Sequence, residues 1–187
     1  MKGFPRVVQR FGWQEQGEQI KVYSDADWGR CKKTRKSTSG GVVMRGDHCI
    51  KFWSKTQANI VLSTAEAELV AMVRGVCEAK GVAAIIKDMT GEDQGAIGIY
   101  TDASAAIGIA QRLGVGKVRH IDVGMLWVQQ NVKQGEIEVE KVDTKLNPAD
   151  VFTKHVPGEV VWRHLAGIGF ESRDGRAEAA VELVGKQ

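Results

Sequence analysis

Between residues 20 and 54 the apolar positions fall into three short runs separated by polar or glycine-rich connections. Ile20, Val22 and Tyr23 lead into a β-rich run that ends at Asp25 to Trp28. The basic loop Gly29 to Ser37 follows, then the run Gly40 to Met44, the turn Arg45-Gly46-Asp47, and a third run from His48 to Ser54. Three strands with connections this short predict an antiparallel meander. After it the period changes. Ser63-Thr-Ala-Glu66 has the spacing of a capping box, and Leu69, Met72, Val73, Val76, Ala79, Ala83 and Ile86 recur at helical intervals, so a long amphipathic helix is predicted over 63 to 89.

Thr90 to Gln94 is a polar break, Ala96 to Thr101 reads as a strand, and Ala103 to Leu113 as a short helix. A further helix is predicted from His120 to Gln134, with Gly135 stopping it. Glu136 to Val142 alternates apolar and charged residues with period 2, the mark of a half-buried strand. Asn147-Pro148 places a cap and a first-turn proline at the head of another helix, and Val160, Trp162, Leu165 and Ile168 mark a last one. Strand-helix-strand crossovers require parallel pairing, so the sheet is expected to be mixed, with the strands beginning at 20 and 96 as parallel neighbours. The expected divisions are a linker over 1–18, a folded domain over 19–157, a C-terminal helix over 158–170 and a mobile tail over 171–187.

The chain has 187 residues with 26 Lys and Arg against 23 Asp and Glu, a net charge of +3. That balance excludes both an acidic solvating tail and a histone-like polycation, so any affinity for nucleic acid must come from local patches. No apolar stretch is long enough to span a bilayer, and the first residues lack the apolar core of a signal peptide, so no membrane is expected and the chain reads as intracellular. Cys31, Cys49 and Cys77 are odd in number and widely spaced, which indicates neither a disulfide framework nor a zinc site. They read as reduced thiols, Cys77 in the core.

Candidate chemistry lies in the carboxylates. Ligand sites of open α/β sheets collect at the carboxyl ends of parallel strands, and Asp25 and Asp102 both end predicted strands. Each taken alone is either a functional group or a turn and cap residue. Glu66 and Glu68 lie about 200° apart around a helix. Glu66 occupies the capping position, whereas Glu68 borders the apolar face, where a carboxylate needs a metal or cationic partner. Asp150 sits in the first turn after Asn147-Pro148, where the helix dipole alone would favour it. Acids converging on one point stay ionised together only if divalent cations neutralise them, and oxygen ligands without Cys or His select Mg²⁺ or Mn²⁺.

Seven blocks in order make a more specific pattern: Tyr23-Ser-Asp-Ala-Asp-Trp28, Thr34-Arg-Lys-Ser-Thr-Ser-Gly-Gly41, Trp53-Ser-Lys-Thr-Gln57, Leu62-Ser-Thr-Ala-Glu-Ala-Glu68, Tyr100-Thr-Asp102, Arg119-His-Ile-Asp122 and Asn147-Pro-Ala-Asp-Val-Phe-Thr-Lys154. Over roughly residues 20 to 157 they closely resemble the ribonuclease H domain of copia-type LTR-retrotransposon polyproteins. The resemblance implies an α/β, ribonuclease H-like fold, with a five-stranded mixed sheet of three antiparallel strands and parallel additions, flanked by helices. It implies an endonuclease that hydrolyses the RNA strand of RNA/DNA hybrids with two Mg²⁺ ions, Mn²⁺ being able to substitute, and leaves 5′-phosphate and 3′-hydroxyl ends. Asp25, Glu68, Asp102 and Asp150 match the family's catalytic, metal-binding acids, with Asp27 the alternative to Asp25. The implied partners are the hybrid and a reverse transcriptase domain in the parent polyprotein. A monomer is expected in isolation, in the cytoplasm, in virus-like particles or in the nucleus.

Hybrid recognition needs a reader of the 2′-hydroxyl, for which Ser24, Thr101, Ser104 and the backbone near Asp25 are candidates. Two basic clusters flank the acids: Arg30, Lys32, Lys33, Arg35 and Lys36, and then Arg112, Lys117, Arg119 and His120. Each is either a solvated face or a set of nucleic-acid contacts. The loop before the last acid lacks the His of cellular enzymes of this superfamily, leaving Lys145 or His155 as substitutes, and Gly124 stands where the family commonly has a basic residue. The rival reading is a decayed hybrid-binding or structural domain whose acids survive as fold and cap residues.

Overall fold

A computed structural model describes residues 6–15, 19–114 and 123–175. Its centre is a five-stranded sheet. The meander forms as expected from β2 (Ile20–Asp27), β3 (Thr38–Arg45) and β4 (His48–Thr56), each antiparallel to the next. β5 (Ile97–Thr101) then pairs parallel to β2, and β6 (Ile137–Lys141) parallel to β5, giving the order β4-β3-β2-β5-β6. The switch from hairpins to parallel neighbours requires a crossover, and α1 (Thr64–Thr90) supplies it.

Helix α1 starts where the capping pattern places it: Ser63 accepts a hydrogen bond from the Glu66 backbone N–H, and a Glu66 carboxylate oxygen accepts one from the Leu62 N–H. Gly91 ends it in the left-handed conformation that only glycine adopts without strain (φ 75°). Its apolar face, including Leu69, Met72, Val76 and Ala79, packs with Ile20, Val22, Val43, Ile97 and Ile99 of the sheet. The helix lies close, since a Cβ on Gly75 would stand 2.8 Å from Val22 Cγ1. Helices α2 (Ser104–Gln111) and α3 (Trp127–Lys133) extend this layer through Ile109 and Val128.

The opposite face of the sheet is covered too. Val42, Met44 and Cys49 pack with Ile168 and, at the edge, with Tyr23, Phe152, Leu165 and Phe170. Phe152 belongs to a 3-10 turn, Pro148–Phe152, and Leu165 to α4 (Gly158–Gly167).

Several elements differ from the local reading. Asn147 caps as expected by accepting from the Ala149 N–H, but the segment it opens is the 3-10 turn and not an α-helix. The helix predicted from 120 begins, within the described residues, as a 3-10 turn at Val123–Leu126 before α3. Cys77 is exposed on α1, one position round from buried Val76. Segments expected to be linker and tail contribute β1 (Arg6–Gln9) and β7 (Phe170–Arg173), which pair antiparallel as a separate two-stranded sheet. Side chains hold this ribbon to the β3–β4 turn, with Gln14 donating to the Arg45 carbonyl and accepting from the Asp47 N–H. Most of the tail, residues 176–187, lies outside the described residues.

Candidate active site

Parallel register brings the first two acids to one end of the sheet. Tyr23 of β2 is level with Tyr100 of β5, so Asp25 and Asp102, each two residues on, emerge side by side at the carboxyl ends. Glu68 enters from the fifth position of α1. Asp25, Glu68 and Asp102 each present a carboxylate oxygen within 4.8 Å of the others. Asp27 is not part of this group; its Oδ1 accepts the Thr38 backbone N–H at 2.5 Å, closing the end of the β2–β3 ladder.

Asp150 arrives on the 3-10 turn, which is docked against β2 by a buried bond from Asn147 Nδ2 to the Ser24 carbonyl, 3.0 Å. The turn can lie this close because Gly40, opposite Asp25 on β3, has no side chain. A Cβ there would stand 2.7 Å from Thr153 Cγ2 and 2.9 Å from the Ala149 carbonyl oxygen. Thr153 and Lys154 follow the turn directly. The Thr153 hydroxyl donates to Asp25 Oδ2, and Lys154 Nζ reaches Asp25 Oδ1 at 3.3 Å and Asp150 Oδ1 at 3.0 Å.

The electrostatics follow from burial. Asp25 is 1% exposed, and desolvation raises its pKa against the lowering effects of the Thr153 hydroxyl and the Lys154 ammonium. Burial likewise pushes Glu68 up to about 8, with the charges of Asp25 and Asp102 adding to the shift and a bond from the Ala26 backbone opposing it. Glu68 Oε2 is buried without a hydrogen-bond partner. Asp102 accepts from the Thr144 hydroxyl at 2.7 Å. Three clustered carboxylates, one with an orphaned buried oxygen, form a donor set of hard oxygens that fits a divalent cation.

Of the candidate 2′-hydroxyl readers, Ser24 and Thr101 are buried and Ser104 is exposed. Arg30, Lys32, Lys33 and Arg35 are exposed on the loop after β2, with Lys36 half-buried. That loop borders a groove of about 490 Å³ whose lining includes Asp27, Arg30, Thr153, Lys154 and His155. Lys145 lines a different cavity with Lys21, Tyr23 and Arg163, so His155 and not Lys145 shares a groove with Thr153 and Lys154. Arg112 follows α2 and is half-buried; Lys117, Arg119 and His120 lie outside the described residues. Thr144, Asn147, Thr153 and Lys154 carry no site role in the sequence analysis. Of these, Asn147 is legible as a cap, and Lys154 has a local signal in standing four residues after Asp150 as an ion-pair partner.

Comparison with solved structures places this architecture. The N-terminal RNase H domain of a Mycobacterium tuberculosis protein, solved as a fusion with maltose-binding protein, superposes with a TM-score of 0.51 at 20% identity, over 73% of this chain and 91% of that one. The sheet order, the flanking helices and this likeness define a ribonuclease H-fold domain. In sequence the chain is similar to part of the retrovirus-related Pol polyproteins of plant transposons. It is 32% identical over 139 residues to that of transposon TNT 1-94 of Nicotiana tabacum, covering 74% of this chain and 10% of the relative. For transposon RE1 of Arabidopsis thaliana the figures are 29% over 136 residues, 72% and 9%. The chain thus spans about a tenth of the length of these curated relatives. No protein-family model matches it.

Proposed function

We propose that this chain is the ribonuclease H domain of a copia-type retrotransposon polyprotein, an endonuclease that hydrolyses the RNA strand of RNA/DNA hybrids during reverse transcription. The observation that carries the reading is the meeting of Asp25, Glu68 and Asp102 at the carboxyl end of two parallel strands in a ribonuclease H fold. Asp25, Glu68 and Asp102 would hold one divalent ion, and Asp25 with Asp150 a second. Mg²⁺ suits this all-oxygen set and Mn²⁺ can replace it. Ions held by these acids would supply an activated water for in-line attack on phosphorus and positive charge for the leaving 3′ oxygen. The carboxylates act as ligands, not nucleophiles, and the products carry 5′-phosphate and 3′-hydroxyl ends.

The exposed basic loop supplies phosphate contacts, its Arg30 lining the groove with Thr153 and Lys154 beside Asp25. Ser104, two residues after Asp102 and exposed, is the side chain best placed to meet a 2′-hydroxyl. In the parent polyprotein a reverse transcriptase domain is the natural partner, adding substrate affinity to this modest basic surface. The test is cleavage of an end-labelled RNA/DNA hybrid beside RNA/RNA, DNA/DNA and single-stranded RNA, in Mg²⁺, Mn²⁺ or chelator, with Asp102→Asn as control. Hybrid-only, metal-dependent cutting of the RNA strand that vanishes in the variant is expected. Binding without cleavage in every cation would leave a decayed, hybrid-binding domain.

A further inference from the structure

The acid cluster has two unlike halves. On one side, among the described residues, neither Glu68 nor Asp102 forms an ion pair, and Glu68 Oε2 is buried without a partner. On the other, the ammonium of Lys154 stands between Asp25 Oδ1 and Asp150 Oδ1, at 3.3 and 3.0 Å. These are the two carboxylates that a second ion would use. The ammonium is held there by construction. Lys154 is one turn beyond Asp150, its N–H bonds the Asp150 carbonyl at 3.0 Å, and the preceding Thr153 is fastened to the other oxygen of Asp25.

Charge sets the consequence. When Asp25, Glu68, Asp102 and Asp150 are all ionised, they and the ammonium carry a net charge of minus three, which one divalent ion on the open half brings to minus one. A second ion would have to share Asp25 and Asp150 with a positive charge within bonding distance of both, and two cations that close repel each other strongly in a partly buried site. It must therefore displace the ammonium first.

We propose that Lys154 is the chain's own cation at the second-ion position, so that the free protein binds one divalent ion strongly, on Asp25, Glu68 and Asp102, and a second only after the ammonium has left. This rests on the metal-binding reading given under Proposed function. It makes Lys154 a positioning residue that holds Asp25 and Asp150 together before the second ion enters.

The test counts Mn²⁺ bound per chain, by the electron paramagnetic resonance signal of the free ion, on the full chain without nucleic acid. Wild type, Lys154→Met and Lys154→Arg are compared, with Lys154→Gln as a second neutral variant and circular dichroism to verify folding. One tight ion is expected on wild type and on Lys154→Arg, and two on the neutral variants. Two tight ions on wild type would overturn the inference whatever the variants do. So would a single ion on wild type and on a folded neutral variant alike, and that result would leave the metal reading of Asp25, Glu68 and Asp102 standing. No tight ion on any chain would remove both.

Discussion

Glu68 holds a carboxyl group where water is scarce and two other acids are near, and the protein bears the cost in a pH-dependent way. Its folded pKa of about 8 lies above the ordinary 4.5. Below the ordinary value the carboxyl is protonated whether the chain is folded or not, and its contribution to stability is complete. As pH rises toward 8 the unfolded chain releases the proton more readily than the native one, so that contribution is lost. Asp25, raised in the same direction, adds to the loss. Metal-free Glu68→Gln, which has no charge to bury, should therefore melt above wild type at about pH 8, by about 2–4 °C for each kcal/mol relieved. The gap should close near pH 4.5, and Mg²⁺ should favour wild type again by binding only where the carboxylate remains. Melting curves with and without Mg²⁺ across this range check it; parallel wild-type and variant curves would mean that Glu68 is not desolvated as described.

At the scale of elements, the 3-10 turn Pro148–Phe152 decides whether the site exists. It carries Asp150 and aims Thr153 and Lys154 at Asp25, and it reaches β3 only through the space left by Gly40. Gly40→Ala should lift the turn off the sheet. Overpacking of this kind costs about 1–3 kcal/mol, readable as a lower denaturation midpoint. Because the displaced groups surround Asp25, cleavage under saturating hybrid should fall by about tenfold, equivalent to about 1.4 kcal/mol in the barrier, while hybrid affinity changes little. A lower midpoint with undiminished cleavage would show that Asp150 is not needed where the turn holds it.

For the whole molecule the relevant quantity is the distribution of charge. With a net charge of only +3, the protein has no general attraction for nucleic acid, and the proposed hybrid binding would draw on local basic patches such as the loop after β2. Neutralising Lys32, Lys33 and Lys36 together should weaken hybrid binding and flatten its dependence on salt. The slope of log affinity against log salt should drop by about 0.7–0.9 for each phosphate that these lysines no longer neutralise. Fluorescence anisotropy over a salt series measures this directly, and an unchanged slope would mean that other residues hold the phosphates. No helix among the described residues is long and apolar enough to cross a membrane.

What could be read without the tertiary structure was whatever short-range chemistry encodes. The meander follows from alternation and turns, α1 from its capping residues and helical spacing, and the parallel placement of β2 and β5 from the helix between them. Asp25, Glu68 and Asp102 could be named because each ends or edges an element in a recognisable block. Tertiary structure decided the rest, because it depends on groups far apart in sequence. β1 and β7 are four residues each and lack any local period; they exist by pairing with one another across the length of the chain. The choice that puts Asp25 in the cluster and Asp27 at a backbone N–H depends on their neighbours in space, Glu68 and Asp102 for the one and Thr38 for the other. The raised pKa of Glu68 is a property of its burial, and the place of Lys154 between two acids depends on a hydrogen bond spanning 129 positions. Local patterns determine which elements form, since they fix backbone preferences and apolar faces. Burial and charge proximity arise only once those faces have closed on each other.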